Sequence, residues 1–281
     1  MKTWFITGAC RGFGRIWAEA ALTRGDKVAA TARKLADVAD LTQRFGDAAL
    51  PLALDVTDAN QVRQVVAQAH KHFGKLDVVL NNAGYTLVGT VEEAGEADVR
   101  ALFETNFFGT VRVIQAALPL LRQQGSGHIV GVSSGMGIVA VPLIGFYCAS
   151  KWAVEALHES LAQEVKSFGI KVTLLEPAAY ATDFASPSSL KMAAAMDAYA
   201  DLRKQVSRRL SSEERGDPKS TAEAILKIVD AEAAPLRFTL GAGVLPMARA
   251  AYADRLATWK VWETVSNAAQ SESTKNTITS L

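Results

Sequence analysis

The chain has 281 residues, 49% of them hydrophobic and 21% charged, with a formal net charge of +1 at neutral pH. Those values describe an ordinary globular domain, and the absence of any long basic or acidic block argues against a nucleic-acid partner held by phosphate neutralisation. The two cysteines, Cys10 and Cys148, lie far apart without CxxC spacing, which predicts free thiols in a reducing compartment and no metal site.

Met1 to Thr7 starts like a signal peptide, but the apolar run stops at Gly8. The longest weakly polar stretch, Gly135 to Ala149, is broken by Gly137, Pro142 and Gly145 and is shorter than the ~20 residues of a membrane helix. The expectation is a cytoplasmic protein with no membrane partner.

Short apolar runs alternate with longer helical patterns, the signature of an α/β fold with a doubly wound parallel sheet. The expected strands are Thr3–Thr7, Lys27–Thr31, Leu50–Leu54, Asp77–Leu80, His128–Ser133, Lys171–Leu175 and Leu236–Leu240. Arg15 to Arg24 reads as a helix with Ile16, Ala20 and Leu22 on its apolar face and Gly25 as its stop. Asp58 is a good N-cap for a helix through Val62, Val65, Val66 and Ala69, closed by Gly74. Longer helical patterns run from Asn106 to Leu121 and from Phe146 to Phe168. Residues 1–265 are expected to form one Rossmann-like domain, with a helical, alanine- and methionine-rich lid over 183–216. Beyond Val265 the chain turns polar and aperiodic, so 266–281 reads as a loosely held tail.

Directly after the first strand comes Thr7-Gly8-Ala9-Cys10-Arg11-Gly12-Phe13-Gly14, leading into a helix. Glycines there permit a tight turn and a close backbone approach, so that a pyrophosphate can sit on the helix N-terminus. The spacing is T-G-x-x-x-G-x-G. With Asn81-Asn82-Ala83-Gly84 after the fourth strand, Asn106 in the next helix, Ser134 after the fifth strand and Tyr147-Cys148-Ala149-Ser150-Lys151, the sequence resembles the short-chain dehydrogenase/reductase family. The resemblance covers residues 2–183 well and the remainder loosely. It implies a Rossmann-like fold, a nicotinamide cofactor bound by Gly8, Cys10, Arg11, Gly12, Phe13 and Gly14, and an oxidoreductase activity. It further implies that Asp55 and Val56 flank the adenine and that Asn82, Ala83 and Gly84 line the ribose.

An NAD-preferring enzyme of this kind wants a carboxylate about 20 residues past the glycine loop, to bind the ribose 2′-hydroxyl. Ala32 and Arg33 stand there instead, and Arg11 lies in the glycine loop. Two guanidiniums converging on one phosphate predict NADP(H), each charge-assisted bond being worth roughly 1.5–3 kcal/mol before solvent losses.

Hydride transfer to a ketone leaves an alkoxide that needs a proton. Tyr147 and Lys151 share one helical face. An ammonium about 4 Å from the phenolate would favour it by roughly 4 kcal/mol at an effective dielectric of 20, enough to bring Tyr147 near physiological pH. Ser134 follows the fifth strand, where ligands bind in such sheets, and its hydroxyl can donate to the substrate oxygen. By resemblance Asn106 holds a water that passes protons on from Lys151. Ser133 is expected to pack or cap locally. His70, His72, His128 and His158 have no partner spacing of interest, and Cys148 reads as packing.

The family usually follows its sixth strand with Pro-Gly and then a threonine against the nicotinamide. Here the run is Pro177-Ala178-Ala179-Tyr180-Ala181-Thr182, so Pro177, Tyr180 and Thr182 are cofactor candidates while Ala178 replaces a glycine. Two readings stay open: the loop has φ < 0 at these alanines, or the pocket has been reshaped.

Gly135 to Phe146 is rich in apolar residues and uncharged, and the lid offers Phe184, Leu190, Met192, Met196 and Tyr199. Such walls suit a hydrophobic ketone, aldehyde or alcohol. A sugar or polyol dehydrogenase is the alternative enzyme, and a non-catalytic NADP sensor the alternative outside catalysis. The resemblance also implies a homodimer or homotetramer paired through the two long helices.

Overall fold

The computed structural model describes residues 1–186, 189–211 and 214–270. Strand β1 (Thr3–Ile6) runs through the glycine loop into helix α1 (Gly12–Thr23). Strand β2 (Lys27–Ala32), helix α2 (Asp40–Phe45) and strand β3 (Ala49–Ala53) follow. Helix α3 (Ala59–Phe73) begins where the Asp58 carboxylate accepts from the backbone N–H of Asn60 and Gln61, and it ends at left-handed Gly74. Both ends obey their capping residues. Then come β4 (Val78–Asn81), β5 (Thr86–Val88), α4 (Glu96–Phe103) and, after a π-helical turn over Glu104–Phe108, α5 (Gly109–Gln124). Strand β6 (Gly127–Val132), α6 (Gly145–Glu164) and β7 (Ile170–Pro177) form the next unit. The chain continues through β8 (Leu190–Met192), α7 (Ala200–Ser211), α8 (Thr221–Asp230), β9 (Arg237–Leu240) and α9 (Val244–Ala268).

Seven strands form one parallel sheet in the order β3-β2-β1-β4-β6-β7-β9. The fold is the expected Rossmann-like doubly wound sheet, and each expected strand is present within a residue or two. On one face α1, α2 and α8 bury Trp17, Leu41 and Ile228 against Trp4 and Ile6. On the other, α3, α5 and α6 bury Val66, Val113 and Leu161 against Phe5 and Ile129. A fully buried side chain of this size is worth about 1.5–3 kcal/mol, so the two layers rather than any one contact hold the sheet. The strand order reverses between β1 and β4, which opens a crevice at the carboxyl ends of the strands.

Three expectations need correction. The helix expected from Asn106 is preceded by α4 and entered through the π-helical turn, with Asn106 inside that turn. Such turns concentrate at functional sites because the extra residue redirects a side chain and a carbonyl. The lid is only partly helical: β8 pairs in parallel with β5, and α7 supplies its helix. Two three-residue strands lie below what alternation can signal. The tail does not begin at 266, because α9 continues to Ala268; residues 271–281 lie outside the described residues, as do 187, 188, 212 and 213 of the lid. Among the described residues no helix is long and apolar enough to cross a membrane.

Candidate active site

The crevice is a cleft of about 880 Å³, lined by the loops after β1, β2, β3, β4, β6 and β7 and roofed by the lid. Every residue expected to bind cofactor lines it except Gly14, and so do Ser134, Tyr147 and Lys151.

The glycine loop is shaped by contacts. Gly8 and Gly12 have φ of +66° and +53°, where a side chain would be strained. A Cβ on Gly14 would lie 2.4 Å from the Gly8 carbonyl, so α1 is packed against the turn too closely for any side chain. A Cβ on Gly12 would meet only Thr182 Cβ, at 3.8 Å, and would project into the cleft. No side chain caps the start of α1, so its first N–H groups are left to water or to a ligand. A phosphate-bearing cofactor fits that cradle. The loop is held from β4: the Thr7 hydroxyl accepts from the backbone N–H of Asn82 and Ala83 at 2.9 and 3.0 Å, and the Asn82 amide donates to the carbonyls of Thr7 and Gly8, both at 3.0 Å. The Asn82 amide nitrogen therefore braces the loop from a residue that also lines the cleft, and Thr7 is a structural member that motif reading passed over.

Arg33 is exposed at the end of β2, at the cleft rim. Arg11 also lines the cleft, and its Nη2 donates to Ser189 Oγ in the lid at 2.8 Å. The second arginine thus ties the lid to the glycine loop, a link invisible in sequence because the partners are 178 positions apart.

At the far end of the cleft, α6 presents Tyr147, which is 5% exposed. The Ser134 hydroxyl accepts from the backbone N–H of Met136 at 3.1 Å and is hydrogen-bonded to Tyr147. Phe184 of the lid lies with its ring centroid 5.8 Å from that of Tyr147. Lys151 Nζ donates to the Val132 carbonyl at 2.8 Å and stands 5.8 Å from the Tyr147 ring centroid. Burial pushes the Tyr147 phenol up to about 12, opposed by the Ser134 hydrogen bond. Burial likewise pushes Lys151 down to about 8, opposed by Glu155. Burial is the largest influence on the phenol, so the spacing to Lys151 does not by itself hold Tyr147 near physiological pH.

Asn106 is 1% exposed. Its Oδ1 accepts from the Tyr85 N–H at 3.0 Å, and its Nδ2 donates to the Tyr85 carbonyl at 3.0 Å and to Ser150 Oγ at 3.1 Å. Ser150 in turn donates to the Tyr147 carbonyl at 2.7 Å. Asn106 therefore clamps the π-helical turn to α6 and to the loop after β4.

Ser133 is 3% exposed, lines the inner wall of the cleft and is turned to Glu155, while Ser134 is the serine bonded to Tyr147. His128 and His158 are buried on Thr173 and on the Val154 carbonyl, and Cys148 is buried. All three read as core.

After β7, neither Ala178 nor Ala179 has a positive φ; among the described residues Leu143 alone of the non-glycines does. The first of the two open readings therefore holds for the backbone. Room for the Ala178 methyl comes from a neighbour, since a Cβ on Gly241 would lie 3.1 Å from Ala178 Cβ. Tyr180 packs edge-on to Phe13 at 5.2 Å, and Phe13 stacks on Trp17 at 4.9 Å.

The lid is anchored by Glu93. Its carboxylate accepts from the backbone N–H of Thr90 and Met196, both at 2.8 Å, and pairs with Arg203. Those donors, Arg203 first, hold it down at about 2. Tyr85, Thr105, Lys191 and Arg215 also line the cleft and were not anticipated. They come from segments without motif or periodic signal.

A family profile described as short chain dehydrogenase matches residues 2–193. The chain is 46% identical over 248 residues to "Oxidoreductase BOA17" of Botryotinia fuckeliana, covering 85% of this chain and 89% of that one. It is 37% identical to a "3-ketodihydrosphingosine reductase" of Bacteroides thetaiotaomicron, covering 84% and 86%. A crystal structure of a short-chain dehydrogenase from Streptomyces avermitilis superposes with a TM-score of 0.89 at 38% identity, covering 96% and 100%. At 26% identity, a Burkholderia phymatum short chain dehydrogenase/reductase in complex with NAD gives a TM-score of 0.77, covering 92% and 95%. An alcohol dehydrogenase of Thermococcus sibiricus complexed with 5-hydroxy-NADP gives 0.70 at the same identity, covering 85% and 96%.

Proposed function

We propose that this chain, which belongs to the short-chain dehydrogenase/reductase family and is an NAD(P)-dependent oxidoreductase, interconverts hydrophobic ketones or aldehydes and their alcohols with NADP(H). The observation that carries the reading is the convergence of Tyr147, Ser134 and Lys151 at one end of a cleft whose other end is the glycine cradle. When bound, the nicotinamide cofactor supplies or accepts the hydride. The Ser134 hydroxyl, already bonded to Tyr147, is placed to donate to the substrate oxygen and to hold it beside the phenol. Tyr147 gives its O–H proton to that oxygen as negative charge develops there, and takes a proton back in the reverse direction. With burial raising the phenol to about 12, Tyr147 is loaded with its proton at neutral pH, which suits carbonyl reduction. Lys151, fixed on the Val132 carbonyl, supplies positive charge to the phenolate left behind. Gly84 lets the chain pass close to this group, since a Cβ there would lie 3.1 Å from Asn106 Oδ1 and 3.7 Å from Lys151 Nζ.

NADP(H) is favoured by Ala32 and Arg33 at the end of β2, where a carboxylate would select NAD. A hydrophobic substrate is favoured by the Phe184 and Leu190 side of the cleft, and the Bacteroides relative is itself named a 3-ketodihydrosphingosine reductase. Self-association is favoured by exposed apolar side chains on the outer side of α6 and along α9, among them Trp152, Leu256, Trp259 and Trp262. The test is a panel of apolar ketones and sugars, followed by nicotinamide absorbance with NADPH and NADH in parallel. Turnover of sugars alone would replace this reading with that of a polyol dehydrogenase, and cofactor binding without turnover would replace it with that of a sensor.

A further inference from the structure

Below the cleft floor lies a charged cluster that the proposed chemistry does not use. Glu155 on α6 and Glu176 at the end of β7 are 5% and 1% exposed. Both meet the same guanidinium nitrogen: Arg237 Nε of β9 is 3.0 Å from Glu155 Oε2 and 3.6 Å from Glu176 Oε1. Arg237 also reaches the half-exposed Glu159 of α6, at 2.7 Å. One guanidinium thus serves three carboxyl groups, of which only Glu159 is solvated.

The hydrogen-bond count shows the same shortage of donors. Glu155 Oε1 and Glu176 Oε1 are buried without a well-formed hydrogen bond in the protein, and the Ser133 hydroxyl is the donor set beside Glu155. Ser133 Oγ and Glu155 Oε1 crowd the same side of Gly137, where a Cβ would lie 2.5 and 3.1 Å from them. Two carboxyl groups that meet one guanidinium nitrogen in a desolvated pocket each disfavour the other's charge, and a shared proton relieves both that repulsion and the missing donor. The neighbouring charges do not alter that balance. His158 of α6 is kept neutral by burial, its group pushed down to about 4. Arg255 of α9 is turned to the Ile138 carbonyl. The remaining cation is Lys151, one helical turn before Glu155 and raised by its field.

We propose that Glu155 and Glu176 form a carboxyl pair that holds one proton between them, and that the remaining negative charge, lodged mainly on the Arg237-bonded Glu155, keeps the Lys151 ammonium charged. Glu155 and Glu176 are positioning residues that act through Lys151. The consequence for catalysis rests on the proposed role of Lys151, whereas the shared proton does not. Burial pushes Glu176 up to about 7 and raises Glu155 as well, in keeping with a proton resident in the cluster around neutral pH.

The test uses the full chain without added cofactor. Carboxyl 13C resonances of labelled glutamate are followed from pH 4 to 9, together with the Lys151 side-chain 15N resonance. One carboxyl is expected to titrate close to neutrality and to vanish from that range in Glu176→Gln. Glu155→Gln is expected to move the Lys151 titration down by about one pH unit, with Glu155→Asp moving it less. In turnover assays the alkaline limb of kcat should shift down by the same amount while KM for the ketone stays put. A wild-type protein whose carboxyls all titrate in the ordinary range overturns the pair, and this measurement needs no variant to fold. A Lys151 titration unmoved in whichever Glu155 variant folds overturns the coupling. An inactive wild-type protein would refute the proposed function instead, with the titrations still deciding the pair.

Discussion

Lys151 Nζ gives a hydrogen bond to the Val132 carbonyl, at 2.8 Å, and through that bond helix α6 is pinned to the end of β6. The ammonium is thereby fixed in place, with two of its three N–H donors still free of that bond. Tyr147, four residues earlier on the same helix, is a phenol whose burial holds it protonated at neutral pH.

From this the two reaction directions should differ in their pH dependence. Reduction of a ketone uses the proton that Tyr147 already carries, so its rate should be level through neutral pH and fall as Lys151, held down at about 8, loses its charge. Oxidation of the alcohol needs the phenol to accept a proton, so its rate should climb with pH from neutrality upward. Tyr147→Phe should cost at least about a hundredfold in kcat both ways with cofactor binding retained. Steady-state profiles in the two directions check the signs, and a Phe variant of near-normal turnover would remove Tyr147 from the mechanism.

Arg33 is the exposed cation at the end of β2, and Arg11 is bonded to the lid through Ser189. Arg33→Ala should therefore raise KM for NADPH by about tenfold or more and leave KM for NADH nearly unchanged, since one lost charge-assisted bond is worth roughly 1.5–3 kcal/mol. Arg11→Ala should affect both cofactors, because it also releases Ser189. Kinetics with the two cofactors side by side decide this, and equal losses for Arg33→Ala would show that it does not read the 2′-phosphate.

Gly241 has φ +96°, and a Cβ there would lie 2.9 Å from the Tyr180 hydroxyl and 3.1 Å from Ala178 Cβ. Gly241→Ala should cost about 1–3 kcal/mol in thermal or denaturant unfolding. Ala178→Gly with Ala179→Gly should instead lower stability by only about 0.4–1 kcal/mol per site, because neither backbone needs glycine. The same double variant should change the ratio of rates on bulky and small ketones by about tenfold. An unchanged ratio would place substrate choice elsewhere in the cleft.

Glu176 binds its proton up to about pH 7 in the folded protein but only to about 4.3 when unfolded. The native state then holds more protons than the unfolded state across that window, so this group's contribution falls as pH rises through it. Glu176→Gln, which cannot ionise, should gain on the wild type by about 1–3 kcal/mol between pH 4.5 and 7. Urea unfolding of both proteins across that range measures the difference, and parallel curves would contradict the raised titration.

Much of this protein was decided locally. The T-G-x-x-x-G-x-G loop, the Asp58 cap, the alternation of apolar runs with helical patterns and the Tyr147–Lys151 spacing act over a few residues each, so the fold and the shared face of Tyr147 and Lys151 on α6 could be read directly from the chain. What escaped depends on partners distant in sequence: Arg11 on Ser189, Glu93 on Arg203 and Met196, Ala178 against Gly241, and Asn106 clamped between Tyr85 and Ser150. The protonation of the site belongs to the same class. Spacing alone sets Lys151 beside Tyr147 and suggests a lowered phenol, but only the packed structure shows how much water is stripped from both groups. Desolvation grows with every element packed around a charge, and it is the tertiary fold that brought β6, β7 and β9 together under α6.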